Sequence, residues 1–118
     1  MNKRKVGSAY EKRAELFLIR QGLTIVYRNF RSRCGEIDIV ASDGETTVFV
    51  EVKYRKNGAL GLPQEAVDCR KRWRICRAAD YFRMLHGMGD FSPVRFDVVA
   101  VCGDEISWIR NAFDYVEG

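Results

Sequence analysis

The sequence predicts an α/β domain in which a central mixed β-sheet is flanked by helices, in the order αβββαββ. Three observations carry this. Segments with helical spacing of apolar residues alternate with short runs rich in β-branched and aromatic residues. Ser42-Asp43-Gly44-Glu45 joins two such runs, and Asp-Gly is a strong signal for a tight hairpin turn. Both faces of that hairpin carry apolar side chains, as in a layered domain rather than a sheet wet on one side. A chain of 118 residues suits one core, so residues 1–118 are read as a single domain.

Residues 8–21 are predicted as the first helix, because Tyr10, Ala14, Phe17 and Leu18 follow the i, i+4, i+7, i+8 stripe. Gly22 is the candidate C-cap. Residues 23–30 read as the first strand, 34–41 as the second and 47–55 as the third. Residues 57–63, with Gly58 and Gly61, form a loop beside the hairpin. Residues 64–86 read as the long helix, with Ile75, Ala78, Ala79, Phe82 and Leu85 on one face. A second loop covers 87–93. Residues 94–102 are a strongly apolar strand, Gly103-Asp104 is a turn, and 105–110 is a short last strand.

Hydrophobic residues make up 47% and charged residues 31%, which fits a folded, water-soluble domain and excludes a disordered chain. No stretch approaches the ~20 apolar residues of a membrane helix, and the basic start of the chain precedes no apolar run of signal length. The cysteines Cys34, Cys69, Cys76 and Cys102 form no C-x-x-C pair, and His86 is the single histidine, so a zinc site is not expected. Reduced thiols and a cytoplasmic location are the expectation. The net charge of +4 carries weight only where it clusters.

The hairpin holds the candidate chemistry. With Asp43 and Gly44 as the loop, Asp38 faces Phe49 and Glu36 faces Glu51. Alternation then projects Glu36, Asp38, Glu51 and Lys53 from one face. Ile37, Ile39 and Ala41 oppose Val48, Val50 and Val52 on the other face. Asp38 and Glu51 become diagonal neighbours, about 7–8 Å apart at the backbone. Carboxylates crowded on one face repel, so they call for a cation or a solvated cleft. Mg²⁺ or Mn²⁺ suits such oxygen ligands. A solvated Glu-Lys ladder is the bland alternative, and the apolar neighbours Val40 and Phe49 argue against it.

Two helical faces extend the reading. Arg70, Arg74, Arg77 and Tyr81 share a side of the long helix, either as a track for a phosphate backbone or as a solvated face. Lys71 projects toward the apolar side, either snorkelling or pointing into the cleft. Glu11 borders the apolar stripe of the first helix and can face the sheet to join Asp38 and Glu51. Equally, Ser8-Ala9-Tyr10-Glu11 is a capping box in which Glu11 only closes the helix start.

Gly35-Glu36-Ile37-Asp38, Phe49-Val50-Glu51-Val52-Lys53 and Arg95-Phe96-Asp97-Val98-Val99 resemble the bacterial YraN-type family across nearly the whole chain. More distantly, residues 7–18 with Asp38 and Glu51-x-Lys53 are similar to archaeal Holliday-junction resolvases. Both belong to the restriction-endonuclease-like PD-(D/E)xK superfamily, and Ile37 stands where the nominal motif has proline. The resemblance implies a restriction-endonuclease-like fold with its site on the central hairpin. It implies Asp38, Glu51 and Glu11 as metal ligands, Lys53 as the catalytic lysine, and Ser32 in the loop where resolvases carry a serine. The expected activity is Mg²⁺- or Mn²⁺-dependent endonucleolytic hydrolysis of DNA, branched or structured DNA included. Arg31, Arg33, Arg55, Arg70, Lys71, Arg74 and Arg77 are the expected backbone contacts. The rivals are a non-catalytic nucleic-acid-binding module of the same fold and a protein-interaction subunit with a structural acidic cluster. A homodimer is a further expectation, from the resolvase resemblance and from Trp73, Trp108, Phe113 and Tyr115.

Overall fold

The first helix ends where Gly22 reverses the chain. Gly22 has φ +97°, a left-handed conformation that a Cβ would strain. The Leu23 N–H reaches back to the Leu18 carbonyl at 3.1 Å and the Gly22 N–H to that of Ile19 at 3.0 Å, the paired bonds of a Schellman motif. The computed structural model describes residues 3–55 and 67–118, and this helix, α1, covers Lys3–Arg20. It starts earlier than the periodicity predicts. Ser8 and Glu11 therefore both lie inside it, and the capping-box reading is overturned.

The sheet has five strands in sequence order: β1 (Thr24–Arg31), β2 (Glu36–Asp43), β3 (Thr46–Tyr54), β4 (Val94–Cys102) and β5 (Glu105–Phe113). The β3–β4 pair is parallel and the other three pairs are antiparallel, so the sheet is mixed. The second helix, α2 (Cys69–Leu85), connects the two parallel strands. The predicted order αβββαββ is the observed one. The predicted loop 57–63 and residues 64–66 lie outside the described residues. The helix itself begins later than predicted, because the Asp68 side chain accepts the Lys71 N–H at 2.9 Å and caps it.

Each helix covers one face. Ala14 and Leu18 of α1 are buried against Ile39, Ala41, Val48, Val50, Val99 and Val101. On the other face Ile75, Ala78, Ala79 and Phe82 of α2 pack on Phe30, Val40, Phe49, Phe96 and Val98. Phe82 is the hub. It is 2% exposed and meets Phe30 and Phe49 edge-on at 5.2 and 5.8 Å. Truncating such a ring to alanine costs about 3–5 kcal/mol.

The hairpin register differs from the sequence reading. Asp43 pairs with Thr46, so Gly44 and Glu45 form the loop. Gly44 alone takes a positive φ there, +61°, the pattern of a II′ turn with glycine at its first position. Asp43 stays in the ladder because its carboxylate is held by Arg95 at 2.8 Å and Arg110 at 3.4 Å. The shift is two residues, which preserves the face of every β3 side chain. Ile37 is the exception on β2. It packs in the α2-side core with Val40, not with Ile39, so strict alternation fails around Asp38.

Candidate functional site

The failure of alternation is the site. The β2–β3 ladder ends at the pair Ile39–Val50, whereas β3 continues beside β4 as far as Tyr54. On the other side of β2, Arg28 pairs with Ile39 and Phe30 with Ile37. Asn29, between them, sits in the left-handed region at φ +52°. Asn is among the few residues that tolerate it. Asp38 thus lies one residue past the end of the β2–β3 ladder, between two residues that β1 still pairs. Its Oδ2 accepts the N–H of Val52 at 2.8 Å, satisfying a donor on the flank of β3 that β2 has left.

Asp38 lines two cavities. One, of about 290 Å³ on the α2 side, is walled by Gly35, Glu36, Glu51, Lys71, Arg74 and Ile75. The other, of about 280 Å³ on the α1 side, is walled by Glu11, Lys12, Glu15, Arg28, Asn29 and Ile39. Glu51 is buried, at 6% exposure, and its Oε1 is 2.6 Å from Lys71 Nζ. Lys71 therefore points into the cleft, which settles the alternative left open by its helical position. Lys53 stands beside Lys71 and Glu51.

The charges are strongly coupled. Burial first, and then the Glu51 carboxylate, push Asp38 up to about 7, against the lowering effect of the Val52 hydrogen bond. Burial and then the Glu36 charge raise Glu11, which a hydrogen bond with Asn29 partly offsets. Burial and then the Lys71 ammonium hold Lys53 below its usual range. Burial opposes the Lys71 charge, but its hydrogen bond to Glu51 and the Glu51 and Asp38 charges prevail, and its pKa is raised. The cleft gathers carboxylates at close range, and Lys71 pairs directly with Glu51.

Glu11 and Glu51 approach Asp38 from opposite sides of the sheet. Among the described residues no group of three His, Cys, Asp or Glu side chains forms a ready-made metal site. Asp38 and Glu51 share one cavity, and the Glu11 charge still acts on Asp38. Glu11 faces the sheet as expected but opens onto the other cavity.

Residues 10–101 match the profile described as the uncharacterised protein family UPF0102. This chain belongs to UPF0102. Among UPF0102 proteins, it is 46% identical over 114 residues to one from Lachnoclostridium phytofermentans, covering 97% of each chain. It is 49% identical to one from Desulforapulum autotrophicum, covering 94% of each. It is 42% identical to one from Serratia proteamaculans, covering 97% of this chain and 98% of the relative. The matched span of the UPF0102 profile contains Glu11, Asp38, Glu51, Lys53 and Lys71 together.

The basic residues of this UPF0102 chain are not equivalent. Arg33, Arg70 and Arg74 are exposed, and Arg31 is exposed with Glu36 at 3.7 Å. Arg55 is half-buried, with Nη1 on the Tyr54 carbonyl at 3.2 Å. Arg77 does not belong to the stripe. Its guanidinium donates to the Tyr115 hydroxyl and the Val116 carbonyl, pairs with Asp80 at 3.2 Å, and is 12% exposed. The residues after β5 cover it, which no helical wheel could show. Of the aromatics read as interface candidates, Phe113 is buried in the core and Trp108 packs on Phe17. Trp73 and Tyr115 are exposed, each with the Arg77 guanidinium over its ring.

Sequence reasoning also missed the second acidic centre. Asp97 is fully buried and accepts from Arg95 Nε, Trp108 Nε1 and the Asn111 N–H. A signal was present, since Arg95 and Asp97 interrupt the apolar run of β4. A carboxylate this enclosed by donors is a structural one, and Arg95 ties it to Asp43.

Among the described residues no helix is long and apolar enough to cross a membrane.

Proposed function

We propose that this chain is a divalent-metal-dependent phosphodiesterase that hydrolyses DNA, built on the restriction-endonuclease-like plan its sequence resembles. The observation that carries the reading is the burial of two mutually repelling carboxylates, Asp38 and Glu51, beside Lys53 where the ladder ends. Carboxylates so placed are costly unless a cation meets them. Their oxygens suit Mg²⁺ or Mn²⁺, with waters completing the coordination.

Asp38 and Glu51 would hold the ion. When bound, it would polarise the scissile phosphate and lower the pKa of a coordinated water. The Val52 N–H fixes the Asp38 carboxylate, so its other oxygen is free to serve as ligand. The Lys53 ammonium, depressed by burial and by Lys71, is suited to orient the attacking water and to exchange a proton at Nζ. Lys71, released from Glu51, becomes a second cation for the charge that grows on the phosphate. Arg31, Arg33, Arg55, Arg70 and Arg74 would position the backbone.

Cleavage of duplex, flap, junction and single-stranded DNA with Mg²⁺ and Mn²⁺ tests the reading. Asp38→Asn should abolish cleavage, and Lys53→Ala should slow it while sparing metal binding. Cleavage by Asp38→Asn at the wild-type rate would remove these residues from the site. One observation favours a second reading, a nucleic-acid-binding module without catalysis: Lys71 already neutralises Glu51 at 2.6 Å. In that case DNA binding persists and no Mg²⁺ binding is seen at Asp38 and Glu51.

A further inference from the structure

A groove of about 760 Å³ lies between the β1–β2 loop and the second half of α2. Its walls are Arg31, Ser32, Arg33 and Cys34 on one side and Arg77, Asp80, Tyr81 and Met84 on the other. It is not isolated. A shallower depression shares residues 31–34 with it and adds Gly35, Glu36 and Arg74. Those last three also wall the cleft that contains Asp38 and Glu51. The three adjoin one another along the loop and share its residues as walls.

The loop is firmly built. The Ser32 hydroxyl accepts the N–H groups of Cys34 and Gly35 at 3.3 and 3.2 Å and donates to the Gly35 carbonyl at 3.0 Å. Gly35 has to be glycine, because a Cβ would lie 2.7 Å from the Arg74 carbonyl oxygen. The loop is therefore pressed against α2, and Arg74 is set where the groove enters the cleft.

The chemistry of the groove is mixed. Tyr81 and Met84 expose large apolar surfaces, and the Tyr81 ring is steadied by Phe30 at 6.0 Å. Asp80 is answered by Arg77 at 3.2 Å and by the Tyr115 hydroxyl, which donates to it at 3.0 Å. Arg31 is shared with Glu36 at 3.7 Å, and Arg33 leaves the rim positive. Aromatic and apolar surface with arginines alongside is what an unpaired nucleic-acid strand requires: π-faces for bases and guanidinium groups for phosphates. A duplex, whose bases are stacked on each other, would leave Tyr81 and Met84 unused. From Lys71 to Tyr81 is about 15 Å along the helix, roughly four stacked nucleotides at about 3.4 Å each.

We propose that this groove receives the unpaired bases of a DNA strand, stacked on Tyr81, whose backbone runs past Arg74 into the Asp38–Glu51 cleft. The substrate is then DNA with a single-stranded segment adjoining the scissile phosphate. This rests on the phosphodiesterase reading for the end of the path, while the groove itself is tested by binding alone.

The test measures anisotropy of the full chain, without divalent ions, on a blunt duplex and on the same duplex with a single-stranded tail. The tail carries a fluorescent purine analogue that is quenched by stacking. Wild type should bind the tailed DNA roughly tenfold tighter, as one base–aromatic stack is worth about 1–3 kcal/mol, and should quench the analogue. Tyr81→Leu keeps bulk against Phe30, so it should melt like wild type yet lose the quench and most of the preference. Tyr81→Ala should do the same with some loss of stability. Equal binding of both DNAs, or an undiminished quench in Tyr81→Leu, overturns the groove proposal and leaves the phosphodiesterase reading standing. A dimer in light scattering that Tyr81→Leu dissolves overturns it in favour of a second copy as occupant. No binding to either DNA overturns the groove proposal as well, and the phosphodiesterase reading is then decided by the cleavage assay with Mg²⁺ and Mn²⁺.

Discussion

The backbone N–H of Val52, two residues beyond the last β3 residue paired with β2, donates to Asp38 Oδ2 at 2.8 Å. A side chain thus replaces a ladder bond at the point where the strands part. That single bond fixes where the carboxylate points without neutralising it. Burial and Glu51 still push Asp38 up to about 7.

The sign of this shift sets a pH dependence. An acid with a raised folded pKa binds more protons folded than unfolded between its two pKa values, so stability falls as pH rises through that window. Metal-free protein should therefore lose stability from pH ~4 to pH ~7, and Glu11, also raised, adds in the same direction. Asp38→Asn should remove the larger part of the slope and melt no lower than wild type near pH 7, gaining roughly 4 °C for each kcal/mol relieved. Melting curves across that range decide it. A wild-type stability that climbs with pH, or an Asp38→Asn variant that melts lower at pH 7, would show Asp38 held by a favourable pair instead.

Lys71 and Mg²⁺ should compete for Glu51. Lys71→Met leaves a buried carboxylate without its partner. Breaking a buried pair costs about 3–5 kcal/mol, and the 43% exposure of Lys71 reduces that to about 1–3 kcal/mol. Mg²⁺ should restore the loss and bind the variant more tightly than wild type. Isothermal calorimetry and melting with and without Mg²⁺ provide the check. Equal affinity in both proteins would mean that Glu51 is not where the ion binds.

What the sequence revealed and what it hid follow from the range of each cue. The order of elements, the Gly22 terminus and the faces of Glu51 and Lys53 rest on local periodicity and turn chemistry. They survived a two-residue error in the hairpin register because side-chain direction has a period of two. The cause of that error was remote. Asp43 is kept in the ladder by Arg95 and Arg110, far along the chain. The break in alternation around Asp38 accompanies a left-handed Asn29 in a neighbouring strand, and no pattern within β2 announces it. Arg77 is withdrawn by Tyr115 and Val116. Hairpin alternation placed Asp38, Glu51 and Lys53 on one face and the family resemblance gave them roles, whereas the pairing of Lys71 with Glu51 became visible only in three dimensions.

The arginines of α2 should divide into two kinds. Arg70→Ala with Arg74→Ala should weaken DNA binding and reduce the slope of log affinity against log salt by up to about 1.8, at ~0.9 per phosphate contact. Arg77→Ala should leave that slope unchanged and lower the melting temperature, because its guanidinium ties α2 to Tyr115 and Val116. Salt-dependent anisotropy alongside thermal melts separates the two. If Arg77→Ala flattens the slope as much as the double variant does, then Arg77 leaves its buried partners to meet DNA.

One substitution at two aspartates should give opposite outcomes. Asp97 is enclosed by donors on every side: Arg95 Nε at 3.1 Å, Trp108 Nε1 at 2.9 Å and the Asn111 N–H at 2.8 Å. In Asp97→Asn one carboxylate oxygen becomes an NH₂ group, which must face one of these donors. The charge that balances Arg95 also disappears, leaving Asp43 as its remaining acid partner at 2.8 Å. A cost of about 3–5 kcal/mol is expected for breaking so buried a pair, a large share of the ~5–15 kcal/mol that holds a domain folded. Asp38 has the contrary surroundings. Its neighbours are carboxylates, and its hydrogen bond from Val52 can be kept by an amide oxygen. Urea unfolding of the two variants without metal should therefore show Asp97→Asn strongly destabilised and Asp38→Asn unchanged or more stable. DNA cleavage, in contrast, should vanish in Asp38→Asn and persist in whatever fraction of Asp97→Asn remains folded. Equal destabilisation of the two would mean that both are structural acids, and the cleft would then have no claim to a metal.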